Sequence, residues 1–320
     1  MEHSYSDLRV VALAGGVGGA RLAYGLAQLI SPGNFSVIVN TGDDFEHLGL
    51  SICPDLDTVL YTLAEIEQPQ AGWGIAGDTH ECLEFLKQMG APGWFQLGDR
   101  DLAVHLQRSA WLRGGMRLTE VTARLAAVLG VKTVILPMSD QPCRTMVLTD
   151  QGEMDFQTYF VKHGWQPRLL GLTWQGSDTA VMTGEAQQAI QQADLVVICP
   201  SNPFVSIDPI LNLPGMRETV QQRPCVAVSP IIGGKAVKGP AGKMFTELGV
   251  QPSALAVAEH YRNLVRAFVL DDVDSGMIAD VERLGMRAFA IPTWMKTREE
   301  RVSVAAGVLY CAQGLLSRGV

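Results

Sequence analysis

Short apolar runs recur along the chain, separated by stretches in which apolar residues fall at helical spacing. The runs Val10–Leu13, Phe35–Val39, Thr133–Leu136, Leu195–Cys199, Cys225–Val228, Phe268–Leu270 and Ala288–Ile291 are continuous rather than alternating. That is the pattern of strands covered on both faces. Between them, helical spacing is clearest over Ala20–Ile30, Thr58–Glu67, Thr119–Leu129, Glu185–Ala193, Ser275–Leu284 and Arg298–Leu316. The alternation predicts an α/β fold with a doubly wound, mostly parallel sheet. Residues 143–174 interrupt it and predict an inserted β-hairpin, with strands Met146–Thr149 and Phe156–Val161 around Asp150-Gln151-Gly152. A more helical stretch at 55–130 is expected to form a cap or subdomain. With no internal repeat and no low-complexity linker, residues 1–320 are treated as one domain.

The first strand leads into Gly15, Gly16, Gly18 and Gly19, followed by Ala20-Arg21-Leu22-Ala23. A strand, a glycine turn and a helix N-terminus in that order make an anion cradle, because backbone N–H groups point outward and no side chain keeps a phosphate away. A tight turn without a ligand would have the same sequence. The dinucleotide fingerprint does not fit, since Arg21 stands where its last glycine belongs and the second strand ends in Asn40 instead of an acid. The P-loop pattern is also missing, because Gly234-Lys235-Ala236 lacks the hydroxyl that would hold magnesium. The other strands run into similar loops: Asn40-Thr41-Gly42-Asp43-Asp44, Pro137-Met138-Ser139-Asp140, Pro200-Ser201-Asn202-Pro203 and Ser229-Pro230 through Gly233-Gly234-Lys235. In a doubly wound sheet these all lie at the carboxyl edge, where ligands bind.

Composition narrows the classes. The chain has 320 residues, 47% of them apolar, with 25 basic and 33 acidic residues for a net charge of −8. An acidic chain without a Lys/Arg run argues against nucleic acid as a partner. No apolar run approaches a membrane span, and the polar start MEHSYSDL does not read as a signal peptide. Six scattered cysteines without a C-x-x-C pair read as reduced thiols in a cytoplasmic protein.

Carboxylates dominate the candidate chemistry: Asp43 and Asp44 after the second strand, Asp55 and Asp57 in CPDLDT, then Asp99 and Asp101 in GDRD. In an extended segment Asp55 and Asp57 would point the same way and could share a magnesium ion. As alternatives, Asp57 would cap a helix at Thr58, and Asp99 one over Arg100–Gln107. His105, four residues after Asp101, is expected to share its helix face. Lys235, Lys238 and Lys243 lie among glycines, as mobile charges for a phosphate or as solvated side chains. Ser201 and Asn202, between prolines, suit a base or ribose edge and equally a plain turn. No Ser-His-Asp or Cys-His arrangement is present. Positioning, positive charge and a metal are what phosphoryl transfer needs, and this inventory fits that class.

The ordered segments ALAGGVGGAR, NTGDD, CPDLDT, LGDRDLAVHL, LTEVTARLA, LPMSDQPCRT, FQTYFV, CPSNPFVSIDPIL and SPIIGGKAVKGPAGKM closely resemble the 2-phospho-L-lactate transferase family of coenzyme F-420 biosynthesis. The resemblance runs from Val10 to the final helix. It implies a Rossmann-like core and transfer of a phospholactyl group from a diphosphoguanosine donor to the deazaflavin Fo, with release of GMP and a need for magnesium. Bacterial relatives are understood to use an enolpyruvyl donor. By motif, Gly15, Gly16, Gly18, Gly19 and Arg21 would meet the diphosphate, while Asp43, Asp55 and Asp57 would hold the metal. Ser201, Asn202, Gly233, Gly234, Lys235 and Lys238 would meet the nucleotide, and Asn40, Asp99 and Arg100 are further substrate candidates. Asp44, or Asp43, would orient or deprotonate the ribityl hydroxyl. A homodimer is the expected assembly. Asp208 departs from the family pattern, which carries a small residue there. The alternative is a non-catalytic, regulatory nucleotide-sugar binder of the same superfamily; the GDRD, SNP and hairpin segments favour the transferase.

Overall fold

A computed structural model describes residues 5–316. Seven strands form the central sheet: β1 (Val10–Ala14), β2 (Phe35–Val39), β3 (Val134–Pro137), β4 (Leu195–Ile198), β5 (Cys225–Val228), β6 (Ala267–Asp271) and β7 (Arg287–Ile291). Their order across the sheet is β3-β2-β1-β4-β5-β6-β7, and every pairing is parallel. Each of the seven apolar runs is a strand of this sheet, with ends shifted by a residue at most. The order reverses between β1 and β4, which opens a crevice beyond their carboxyl ends.

Alternate residues of β1 feed two cores. Val10, Ala12 and Ala14 pack on one face with Leu22, Leu26 and Val308, whereas Val11 and Leu13 pack on the other with Ile190 and Ile210. Helix α1 (Gly16–Leu29) lies on the first face against the C-terminal helix Arg298–Leu316. Gly25 permits that approach, since a Cβ there would strike the backbone carbonyl of Arg301.

Two helices begin earlier than their apolar spacing predicts. Helix α1 starts at Gly16, inside the glycine run, and α2 (Pro54–Leu63) starts at the proline of CPDLDT. Pro54 has no N–H to satisfy and suits a first helical position. Asp55 and Asp57 therefore stand in the first turn of a helix instead of an extended segment. About 200° apart, they face different neighbours. Helices α3 (Glu81–Gln88), α4 (Asp99–Arg113) and α5 (Leu118–Val128) complete the helical stretch.

The hairpin pairs Arg144–Thr149 with Gly152–Asp155, and Leu169–Gln175 adds a third antiparallel strand. Phe156–Val161, expected as the second hairpin strand, is not one. Asp155 accepts from the backbone N–H and hydroxyl of Thr158 and turns the chain into a helical segment, Thr158–Lys162. Among the described residues, no helix is long and apolar enough to cross a membrane. All six cysteines are free thiols and five are buried.

Candidate active site

A cavity of about 590 Å³ lies at the sheet's switch point, floored by Gly15, Gly16 and Gly18 and flanked by Pro200 and Ser201. The glycines there meet protein atoms. A Cβ on Gly15 would come within 2.5 Å of Asp55 Oδ2 and 2.7 Å of Ser206 Cβ. One on Gly18 would strike the Pro200 carbonyl, and one on Gly19 would crowd the Ser201 hydroxyl. Only Gly16, at φ +60°, is needed for its backbone conformation. The Ser201 hydroxyl donates to the Gly15 carbonyl at 2.8 Å and accepts from the Gly15 N–H at 3.1 Å. It thus clamps β4's loop to β1's. The side-chain oxygen of Asn202 accepts from the Phe204 N–H, and its amide meets the Met244 sulfur.

Asn40, fully buried beneath the cavity, organises its acidic side. Its amide donates to Asp43 Oδ1 (3.1 Å), Asp55 Oδ2 (2.8 Å) and the Val205 carbonyl (3.1 Å), while its oxygen accepts from the Gly42 N–H. Asp55 Oδ1 also accepts from the Gly16 N–H at 2.7 Å, so a carboxylate already holds the first donor of α1. Burial raises the Asp55 carboxyl to about 6, against the pull of its bonds from Asn40 and Gly16. Burial, then the charge of Asp55, raises Asp43 well above the ordinary carboxylate range. Both line the cavity, and among the described residues no basic side chain is bonded to either. Asp44 does not line the cavity; its Oδ1 is buried without a partner, and burial raises its carboxyl despite the Cys53 thiol.

Asp57 lines the same cavity, as do Asp101 and His105, but its carboxylate is held in a buried fork with the Arg108 guanidinium: Nη1 to Oδ2 at 3.0 Å and Nη2 to Oδ1. Arg108 Nη1 also meets His105 Nδ1 at 3.0 Å, His105 Nε2 lies 3.2 Å from Asp101, and the Tyr61 hydroxyl donates to Asp101 at 2.6 Å. Ligand atoms of Asp57, Asp101 and His105 lie within 4.8 Å of one another, an arrangement compatible with a metal ion. The guanidinium already neutralises Asp57, whereas Asp43 and Asp55 have only neutral donors. Hard carboxylate oxygens left without a countercharge are the donor set a divalent cation fits best.

Two basic side chains, Arg21 and Lys238, also line the cavity, as do the rings of Trp73, Phe95, Phe156, Phe160 and Trp165. Phe156 and Phe160 stack at 5.5 Å.

Other candidates lie elsewhere. Asp99 accepts from the Thr79 hydroxyl and from the N–H groups of Glu81 and Cys82, capping α3 instead of its own helix. Asp78 accepts from the N–H groups of Arg100 and Asp101 and caps α4 in return. Arg100 points to the Ala76 carbonyl, and neither it nor Asp99 lines the cavity. Gly233 donates to Asp274, and Gly234 and Lys235 border a neighbouring depression beside Lys243 that shares Trp165, Gly239 and Pro240 with the cavity. Asp208 is partnered by His260, at 2.8 Å.

The sequence left Arg108, Gln157 and the aromatic wall unassigned. Arg108 follows His105 by three residues, a helical spacing that signals a shared face. The rings carried no local signal, because three separate stretches of the chain, around Trp73, Phe95 and 156–165, bring them together.

The sequence model of 2-phospho-L-lactate transferase CofD matches residues 10–292. The chain is 41% identical over 301 residues to 2-phospho-L-lactate transferase of Methanosarcina acetivorans, covering 94% of this chain and 98% of that one. It is 40% identical over 314 residues to phosphoenolpyruvate transferase of Streptomyces griseus, covering 96% and 99%. A crystal structure of a UPF0052 family protein from Bacillus halodurans superposes with a TM-score of 0.64 over 94% of this chain and 98% of that one, at 18% identity, and so shares the fold. With the glycine floor, the paired carboxylates and a match from the first strand to the last, the chain belongs to the 2-phospho-L-lactate transferase family, and its role is that of a transferase.

Proposed function

We propose that the chain transfers a phospholactyl or phosphoenolpyruvyl group from a diphosphoguanosine donor to the deazaflavin Fo and releases GMP. The observation that carries this reading is the pair of uncompensated buried carboxylates, Asp43 and Asp55, at the switch-point cavity. The stacked pair Phe156–Phe160 and Trp165 on the same cavity supply flat apolar surface for a tricyclic ring. Relatives named for each acid match about equally well, so both donors stay within the proposal.

Asp43 and Asp55 would hold magnesium, which when bound neutralises charge on the diphosphate oxygens. The N–H groups of α1's first turn after Gly16, whose own N–H Asp55 holds, would meet the same anion. The terminal ribityl hydroxyl of Fo attacks the phosphorus that bears the acid. Its O–P bond forms, the bond to the GMP phosphate breaks, and the hydroxyl proton passes to a carboxylate. Of the two carboxylates weighed for that step, Asp43 lines the cavity. Asp44, the other candidate, does not line it.

The test is GMP release from donor with and without Fo. Release that requires Fo supports transfer; equal release without Fo would make the protein a hydrolase, and none at all would favour a binding protein.

A further inference from the structure

We propose that Arg21 and Lys238 form the subsite for the carboxylate of the donor's three-carbon acid, an inference that rests on the donor chemistry proposed above. The cavity is uneven in charge. Around Asp43 and Asp55 negative charge lacks a counterpart, and around Arg21 positive charge does. The charges acting on Arg21 come from Arg301 and Glu67, and Glu67 is already spent on a buried ion pair with Arg301 at 2.9 Å. Arg21 itself makes no hydrogen bond or ion pair among the described residues, and its Nε is buried without a partner. Lys238 reaches over from the loop after Lys235–Ala236, and its only hydrogen-bond partner among the described residues is the neutral carbonyl of Ala71. A Cβ built on Gly72 would touch Val17 of α1 and lie 3.5 Å from Lys238 Nζ, which places that ammonium beside the first turn of α1. Burial, then the nearby Arg21, lowers the Lys238 pKa; burial, then Arg301, lowers that of Arg21. An arriving anion relieves both.

The donor brings anions of two kinds. Its diphosphate has the cation that Asp43 and Asp55 would hold, and the N-terminus of α1, to receive it. The carboxylate of the acid has neither, and it stays ionised at neutral pH, so it needs a cationic donor within the cavity. Arg21 and Lys238 are the only lysine or arginine side chains among the described residues that line it. The forked guanidinium matches a carboxylate in two parallel bonds, and the ammonium adds a point charge. A lactyl and an enolpyruvyl group present the same carboxylate, so this subsite accepts both.

Binding of two probes separates the possibilities: GDP, which lacks the carboxylate, and the intact donor, lactyl or enolpyruvyl diphosphoguanosine. Calorimetric titration is run on wild type, Arg21→Gln, Arg21→Lys and Lys238→Met, each checked by thermal melt. Donor affinity is expected to fall about tenfold or more in Arg21→Gln and Lys238→Met, while GDP affinity stays within about threefold. Arg21→Lys should recover part of the loss. A parallel fall in GDP affinity would assign the pair to a nucleotide phosphate and overturn the proposal, as would unchanged donor affinity in folded variants. If wild type binds GDP but not the donor, the transferase reading itself falls, and the subsite with it.

Discussion

Asp55 and Asp57 are two residues apart, yet substitution by asparagine should act on them in opposite ways. Asp57 holds a buried guanidinium, and removing one charge of a buried pair costs about 3 kcal/mol or more. Asp57→Asn should therefore lower the melting temperature by several degrees. Asp55 faces another buried carboxylate, and an asparagine there can still accept from the Gly16 N–H. Asp55→Asn should melt at or above the wild-type temperature while turnover falls about a hundredfold, if a bound cation supplies ~3 kcal/mol of transition-state stabilisation. Melting curves and GMP release measured side by side decide it: a stable Asp57→Asn or an active Asp55→Asn removes the distinction. Both aspartates were visible in the sequence as metal candidates. What was not visible was that Pro54 starts a helix, and that one turn of helix sends one carboxylate to Asn40 and the other to Arg108.

At the level of elements, the glycine run is a site of close approach between strands' loops more than an open cradle. Gly18→Ala would drive a Cβ into the Pro200 carbonyl, a backbone atom that cannot swing aside. An overpacked contact of this kind costs about 1–3 kcal/mol and should displace the loop that carries Ser201. Gly33→Ala, with nothing within 4 Å of its Cβ, is the control and should leave stability and turnover unchanged. Equal melting temperatures and rates for the two variants would contradict this account of the loop. Strand positions were legible because burial on both faces writes an unbroken apolar run. Phe156–Val161 has the same apolar look, but Asp155 bonds forward to Thr158 and bends it into a helical segment whose rings line the cavity. A hydrogen bond three residues back decided its conformation, which the apolar spacing could not show.

Across the whole molecule, the strand order brings together residues that are remote in the chain: Gly15 with Ser201, Asn40 with Val205, Glu67 with Arg301. The order itself follows from the βα alternation, but which side chains meet at the reversal depends on loops whose paths the sequence does not state. Metal dependence is a property of that assembled site. Chelation should abolish turnover and added divalent cation should restore it. Full turnover in excess chelator would show that N–H groups, Arg21 and Lys238 alone balance the donor's charge.

The central claim is that an acid-bearing phosphorus moves to the acceptor. It is tested most directly by the mass spectrum of Fo after incubation with the protein, magnesium and donor, together with the GMP formed. The account predicts that Fo gains the mass of one phospholactyl or phosphoenolpyruvyl group, with one GMP released for each product molecule. Unmodified Fo alongside released GMP, or an intact donor at full occupancy of the site, would contradict it.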